Sequence, residues 1–397
     1  MKRIVALVLS VLFLVSGLYA ETINSIRFEG LKKTKEDFMQ ERLKEFLGKE
    51  AEELNLKQVE TVLQAEGLFS EIEVSVEGSE LVVTVEEKIT FIPLPFAMYS
   101  SDSGFMGGFM LLNMNVFGKK RMLVTGGIFS AEKQTGMLIY SKPAGDIHHP
   151  GYSIYSSLGH CDGEVTDFED NSYFDVEMFN ARAKFSINEN INKYVSFSTG
   201  ISYWYQNFFT DSITDNHEVL VSSSIDVNHV NWNGYYLITN SAAVSAEVGY
   251  SNVDQTMVER IGFRGMTQYA FVPMVRGILT CACDLQTGKF ILNKADCSDV
   301  ASTIMFTDFK TDQLFGSGIA LEEALCKTKF GTVSLFETYE FDMAKDIFDD
   351  SFVYCHGPGA GVKLYIKQLA FPAMNIGFSY NVTQNDWKFV ASFGMSI

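Results

Sequence analysis

The chain reads in three hydrophobic textures. Residues 4–15 form an apolar run interrupted only by Ser10, residues 21–88 mix helical spacing with short alternation, and from about residue 89 onward stretches of period two recur to the end. Val195, Phe197, Thr199, Ile201, Tyr203 and Tyr205 alternate with Ser196, Ser198, Gly200 and Ser202. Ala242, Val244, Ala246, Val248 and Tyr250 alternate with Ala243, Ser245, Glu247 and Gly249, and Met374, Ile376, Phe378 and Tyr380 with Asn375, Gly377, Ser379 and Asn381. The last stretch is the clearest: Trp387, Phe389, Ala391, Phe393, Met395 and Ile397 share one face, Lys388, Val390, Ser392, Gly394 and Ser396 the other. Large apolar residues on one side and small or polar ones on the other suit strands between lipid and a wet lumen. Left as an open edge in water, such a strand is an aggregation hazard; closing a barrel in a membrane removes both the edge and the exposed face. The pattern predicts a mainly β chain, with a transmembrane antiparallel β-barrel over residues 89–397 that Trp387, Phe389, Phe393 and Ile397 help to close. A soluble sandwich would share the alternation. At about ten residues per tilted strand, sixteen strands leave about nine residues per connection. Polar or turn-rich candidates for those connections are Lys142 to Pro150, Asp162 to Asn171, Thr210 to His217, Asp284 to Val300 and Ala344 to Ser351.

The first twenty residues read as a signal peptide: Lys2 and Arg3, then Ile4 to Val15, then a small-residue exit ending at Ala20. Residues 21–88 predict a β-α-α-β-β order. Ile23 to Glu29 forms a strand, and Thr34 is placed to cap a helix carrying Phe38, Leu43, Phe46 and Leu47. A second helix follows Asn55, with Leu56, Val59, Val62 and Leu63 on one face, and Gly67 ends it. Ile72, Val74 and Val76, then Leu81, Val83 and Val85, form a hairpin about Gly78-Ser79. Pro93 and Pro95 suit a linker or the start of an outermost strand.

Composition sharpens this picture. Thirty-three Phe and seventeen Tyr, with no apolar run after residue 20 long enough for a spanning helix, fit a membrane barrel. A formal net charge of −18 argues against nucleic acid as a partner, since phosphate binding needs clustered Lys and Arg. Export implies an oxidising compartment, where the six cysteines could pair.

The run Leu56 to Val74, with Gly67-Leu68-Phe69 after the helix and Glu86-Glu87 closing the hairpin, resembles the polypeptide-transport-associated (POTRA) domain. The resemblance implies a periplasmic module whose sheet edge accepts an extended segment of an unfolded client polypeptide. Gly357 to Tyr365 is similar to the glycine-rich start of a penultimate hairpin, Phe371 to Tyr380 to the strand after it, and Phe389 to Ile397 to a closing β-signal, although Ile397 stands where an aromatic is usual. Together with one POTRA-like domain, these resemble the BamA/TamA-type outer-membrane superfamily, also called the bacterial surface antigen family. That implies sixteen strands, residence in outer-membrane lipid, and insertion or translocation of polypeptides, with lipoprotein or other periplasmic partners unidentified. The alternative is a passive porin or a surface-exposed structural protein. The family also carries a luminal loop with Val-Arg-Gly-Phe/Tyr; Val275, Arg276 and Gly277 match three positions, and Phe263-Arg264-Gly265 is a weaker match.

Enzyme motifs are absent: there is no nucleophile elbow, P-loop, metalloprotease helix or dinucleotide fingerprint. No cofactor or metal is predicted. His148-His149 and His160-Cys161-Asp162 read as turn residues, because a metal site would need a further ligand at suitable distance. Cys281 and Cys283 share a strand face. They pack as small residues, or one of them, with Cys283 the candidate, forms a disulfide to Cys297.

Overall fold

The computed structural model describes residues 22–101, 104–145, 149–166, 172–210, 212–233, 235–253, 255–288, 295–296, 310–328, 331–348, 350–366 and 372–393. The predicted signal peptide and Ile397 lie outside them. The chain forms two compact units, residues 1–92 with 113–122, and residues 93–112 with 123–397.

The first unit holds β1 (Ser25–Glu29), α1 (Glu36–Leu43), α2 (Leu56–Glu66), β2 (Phe69–Glu77) and β3 (Glu80–Glu87). This is the predicted order and fits a POTRA-like domain. The hairpin's second strand lies in the middle: β1 runs parallel to β3 on one side, and β2 antiparallel on the other. Met39, Leu43, Val59 and Leu63 bury one face of each helix against Ile26, Leu81 and Val83 of the sheet. Asn55 precedes α2, and Gly67 closes it at φ 71°, a left-handed geometry that spares glycine the Cβ penalty. The chain then turns Leu68 and Phe69 into the core. Thr34 does not cap α1; Lys35 holds that position, and the Thr34 hydroxyl instead accepts from Asn115 Nδ2 at 2.9 Å. Leu47 points to solvent instead of extending the helical stripe.

The barrel strands are β4 (Phe91–Ser100), β5 (Gly104–Val116), β6 (Arg121–Ser130), β7 (Lys133–Lys142), β8 (Gly151–Thr166), β9 (Ser172–Asn190), β10 (Val195–Phe208), β11 (Asn216–Trp232), β12 (Leu237–Ser251), β13 (Thr256–Val272) and β14 (Val275–Gln286). After a two-residue ladder between β15 (Ala295–Asp296) and β16 (Lys310–Thr311) come β17 (Gln313–Lys327), β18 (Gly331–Lys345), β19 (Phe352–Ile366), β20 (Pro372–Asn381) and β21 (Asp386–Phe393). β4 to β14 and β17 to β21 close into one barrel of sixteen strands, with β21 returning to β4. The mainly β, sixteen-stranded expectation is borne out. Two predicted connections begin as strand: β8 continues through Asp162 to Thr166, and β14 through Asp284 to Gln286. Pro93 and Pro95 lie within β4, the first barrel strand.

Alternation sorts the faces. Phe197, Ile201, Tyr203, Val244, Val248, Ile319, Leu321, Phe378 and Trp387 are exposed outward, whereas Ser202, Gln206, Glu218, Glu322, Glu340, Ser379 and Lys388 from alternate positions are buried on the inside. No helix among the described residues is long and apolar enough to cross a membrane.

Candidate functional site

The barrel interior is a charged and hydrogen-bonded surface. Arg260 of β13 pairs with Glu218 of β11 at 2.9 Å and Glu247 of β12 at 3.6 Å. Asn216 donates to Gln206 at 2.8 Å and accepts from Ser251 at 2.9 Å. Such groups tolerate burial only when paired, so this wall is built to be polar.

Its most connected residue is Arg276. The loop reading is corrected: a tight Pro273-Met274 turn starts β14 at Val275, so Val275, Arg276 and Gly277 are strand residues with Arg276 facing inward. The ladder places Glu322 of β17 directly opposite it. All five guanidinium donors are used. Nε and Nη2 donate to Glu322 Oε2 at 3.1 and 2.7 Å, Nη2 also to the Tyr365 hydroxyl at 2.8 Å, and Nη1 to Leu237 O at 3.1 Å and Gln268 Oε1 at 3.0 Å. The second Glu322 oxygen accepts from Ser334 of β18 at 2.5 Å. Tyr236 lies over the guanidinium at 4.3 Å and meets Tyr365 edge-on at 5.9 Å. The Asn233 side chain accepts from the backbone N–H groups of Tyr235 and Tyr236 and donates to Pro273 O, shaping the turn that presents Tyr236. β14 and β19 are not neighbours in the barrel, so the Arg276–Tyr365 bond spans its interior at the rim where β4 begins. Beside this network Phe336 covers Gly361 and Gly377, whose missing side chains make room for its ring, and Lys363 lies over it at 4.4 Å.

The second feature is the closing seam. Val390 to Phe393 of β21 pair with Ser100 to Ala97 of β4, four residues of each strand among those described, whereas β20 and β21 pair over eight. Ser101 adds a backbone bond to Phe389 O at 3.1 Å, and Tyr99 packs on Phe389 at 6.3 Å. Trp387, Phe389 and Phe393 alternate with the buried Lys388 and Ser392, which sets the greasy side outward.

In the first unit the two sheet edges differ. The strand entering β1 is flanked by residues 48–49, with Gly48 N donating to Ile23 O at 2.8 Å and Ile23 N to Lys49 O at 2.9 Å. β2 forms the other edge, and among the described residues no further strand pairs with it. Its exposed positions include Glu71, Glu73 and Glu77.

Arg264, the weaker motif match, lies on β13 and pairs with Asp284 at 3.0 Å. Cys283 carries a free thiol on β14, and its candidate partner Cys297 lies outside the described residues. Sequence reasoning did not find Glu322, Tyr236, Gln268 or Tyr365 as partners of Arg276. A buried-strand acid such as Glu322 in an otherwise apolar and small-residue run was the signal available.

A closed, lipid-compatible barrel led by a small β-α-α-β-β domain defines a transmembrane β-barrel of the outer-membrane kind. No known sequence family and no curated protein matches the chain. Solved structures do. BamA from Haemophilus ducreyi lacking POTRA domains 1-3 superposes with TM-score 0.65 at 12% identity, over 94% of this chain and 84% of that one. CdiB from Escherichia coli gives 0.66 at 13% over 95% and 77%, and CdiB from Acinetobacter baumannii 0.65 at 11% over 95% and 74%. The chain shares its fold with these structures.

Proposed function

We propose that the protein resides in the bacterial outer membrane and inserts or translocates polypeptides there without enzymatic chemistry. Residues 21–88 act as a periplasmic POTRA domain after removal of residues 1–20, and residues 89–397 form the membrane barrel. The observation that carries this reading is the seam itself, where β21, the last described strand, closes on β4. Opening it would offer unpaired strand edges to a client whose backbone groups otherwise enter lipid unsatisfied. The β2 edge, with which no further strand pairs among the described residues, supports client capture by strand addition, and the Arg276 network supports a lumen that is braced rather than freely open.

The test locks the seam. In a background lacking the native cysteines, Met98→Cys with Ser392→Cys places thiols at a register pair of the seam. Oxidation should abolish the protein's stimulation of client-barrel folding in liposomes, and reduction should restore it. Undiminished stimulation by the oxidised protein overturns the lateral-seam mechanism, and a client-independent, steady conductance would favour the porin alternative.

A further inference from the structure

We propose that His160, Asp162 and Glu177 form a divalent transition-metal site on the outer wall of the barrel. His160 and Asp162 are two residues apart on β8 and share its outward face with Leu158, which is exposed. The register sets Glu177 of β9 directly opposite Asp162. His160 Nε2 lies 2.7 Å from Glu177 Oε1, and one ligand atom from each of the three residues falls within 4.8 Å of the others. The further ligand that His160-Cys161-Asp162 needed as a sequence is therefore supplied by a neighbouring strand.

Three features argue for a metal rather than a solvated cluster. The donors are mixed, an imidazole nitrogen with two carboxylates, the set that zinc-like cations prefer over purely oxygen-bound hard cations. Ligand bonds of about 2.1 Å in a tetrahedron set donor atoms roughly 3.4 Å apart, inside the 4.8 Å that encloses the three donor atoms here. Asp162 and Glu177 are like charges directly opposite in a ladder, an arrangement that costs stability unless a cation lies between them. The His160 ring is also held in place: Phe209 packs against it at 5.7 Å, and the Phe209 N–H donates to Glu177 O at 3.0 Å. Cys161, between the two β8 ligands, faces the other way and its sulfur accepts from Asn180 at 2.8 Å, so it is not a ligand. Three protein donors leave a coordination position open to water or to an anionic group at the membrane surface. The site lies toward the rim opposite the one where β4 begins, since β8 runs in the same direction as β4.

The experiment titrates Zn²⁺ into metal-stripped, full-length protein folded in detergent, by calorimetry, with Co²⁺ absorption as a report of tetrahedral N/O coordination. Saturable binding of one ion is expected. His160→Ala and the near-isosteric Glu177→Gln should each weaken it at least tenfold, and Cys161→Ser should leave it unchanged. Heat-modifiable migration on gels shows that each variant is a folded barrel. Wild-type affinity in both His160→Ala and Glu177→Gln, or no saturable binding by the parent protein, overturns the assignment.

Discussion

Arg276 concentrates the energetics of the barrel interior in one side chain. A guanidinium and a carboxylate that are 6% and 0% exposed are costly to bury and are stabilising only as a pair with all lone pairs and protons engaged. Removing one partner leaves the other as an uncompensated buried charge. Arg276→Ala should therefore lower the barrel's stability by about 3–5 kcal/mol, read as a shift in the urea midpoint of its heat-modifiable gel band. Arg276→Lys should rescue only part of this, because an ammonium cannot reproduce the planar fork or the stacking on Tyr236. Gly361 is a different kind of constraint. A Cβ there would lie 2.2 Å from Ile376 O and 2.7 Å from the Phe336 ring. Gly361→Ala should sharply reduce the folded-barrel band, whereas Gly136→Ala, whose Cβ would meet nothing nearer than 3.9 Å, should not. At this scale the sequence was half legible. The Val-Arg-Gly triplet singled out Arg276, but its partners come from four other strands and a turn, and no local spacing announces them.

At the scale of elements, the first unit depends on a clamp at the end of β3. The Glu87 carboxylate accepts from the backbone N–H groups of Lys32, Lys33 and Thr34, the last at 2.7 Å, tying β3 to the segment that leads into α1. Burial works against the charged form, but these bonds outweigh it and hold Glu87 below its usual carboxylate range. A depressed folded value stabilises the native state above the unfolded one, and that contribution is lost as pH falls through the folded value. Glu87→Gln in the full-length protein should raise hydrogen-exchange rates in residues 25–87 at neutral pH, with the difference from wild type shrinking as the pH is lowered below about 4. Equal rates at neutral pH would remove the clamp from the account. The acidic end of this hairpin was visible as a motif; its partners were not, because they are backbone groups more than fifty residues away. Thr34 failed as a predicted cap for a related reason. The hydroxyl expected to bind its own helix instead serves Asn115.

For the whole molecule, a braced, gated barrel and an open pore differ in conductance. In planar bilayers the full-length protein should give small, flickering currents that change when residues 21–88 are deleted. Large, steady currents indifferent to the deletion would mark a passive pore and sink client handling. The sequence by itself determined that the chain is mainly β and led by a β-α-α-β-β segment. Period two, helical spacing and a helix-ending glycine are local properties, written within ten or so residues and set by the geometry of strand and helix. It also determined which face of Trp387 to Phe393 turns outward, because a one-residue slip would put every apolar group inside. Only the tertiary structure decided which inward and outward residues meet. Closure and register are long-range choices, made by the sum of many ladders, and they alone bring Glu322 and Tyr365 to Arg276 and Glu177 to His160. The seam is equally non-local, since it joins the first barrel strand to the last described one across most of the length of the chain.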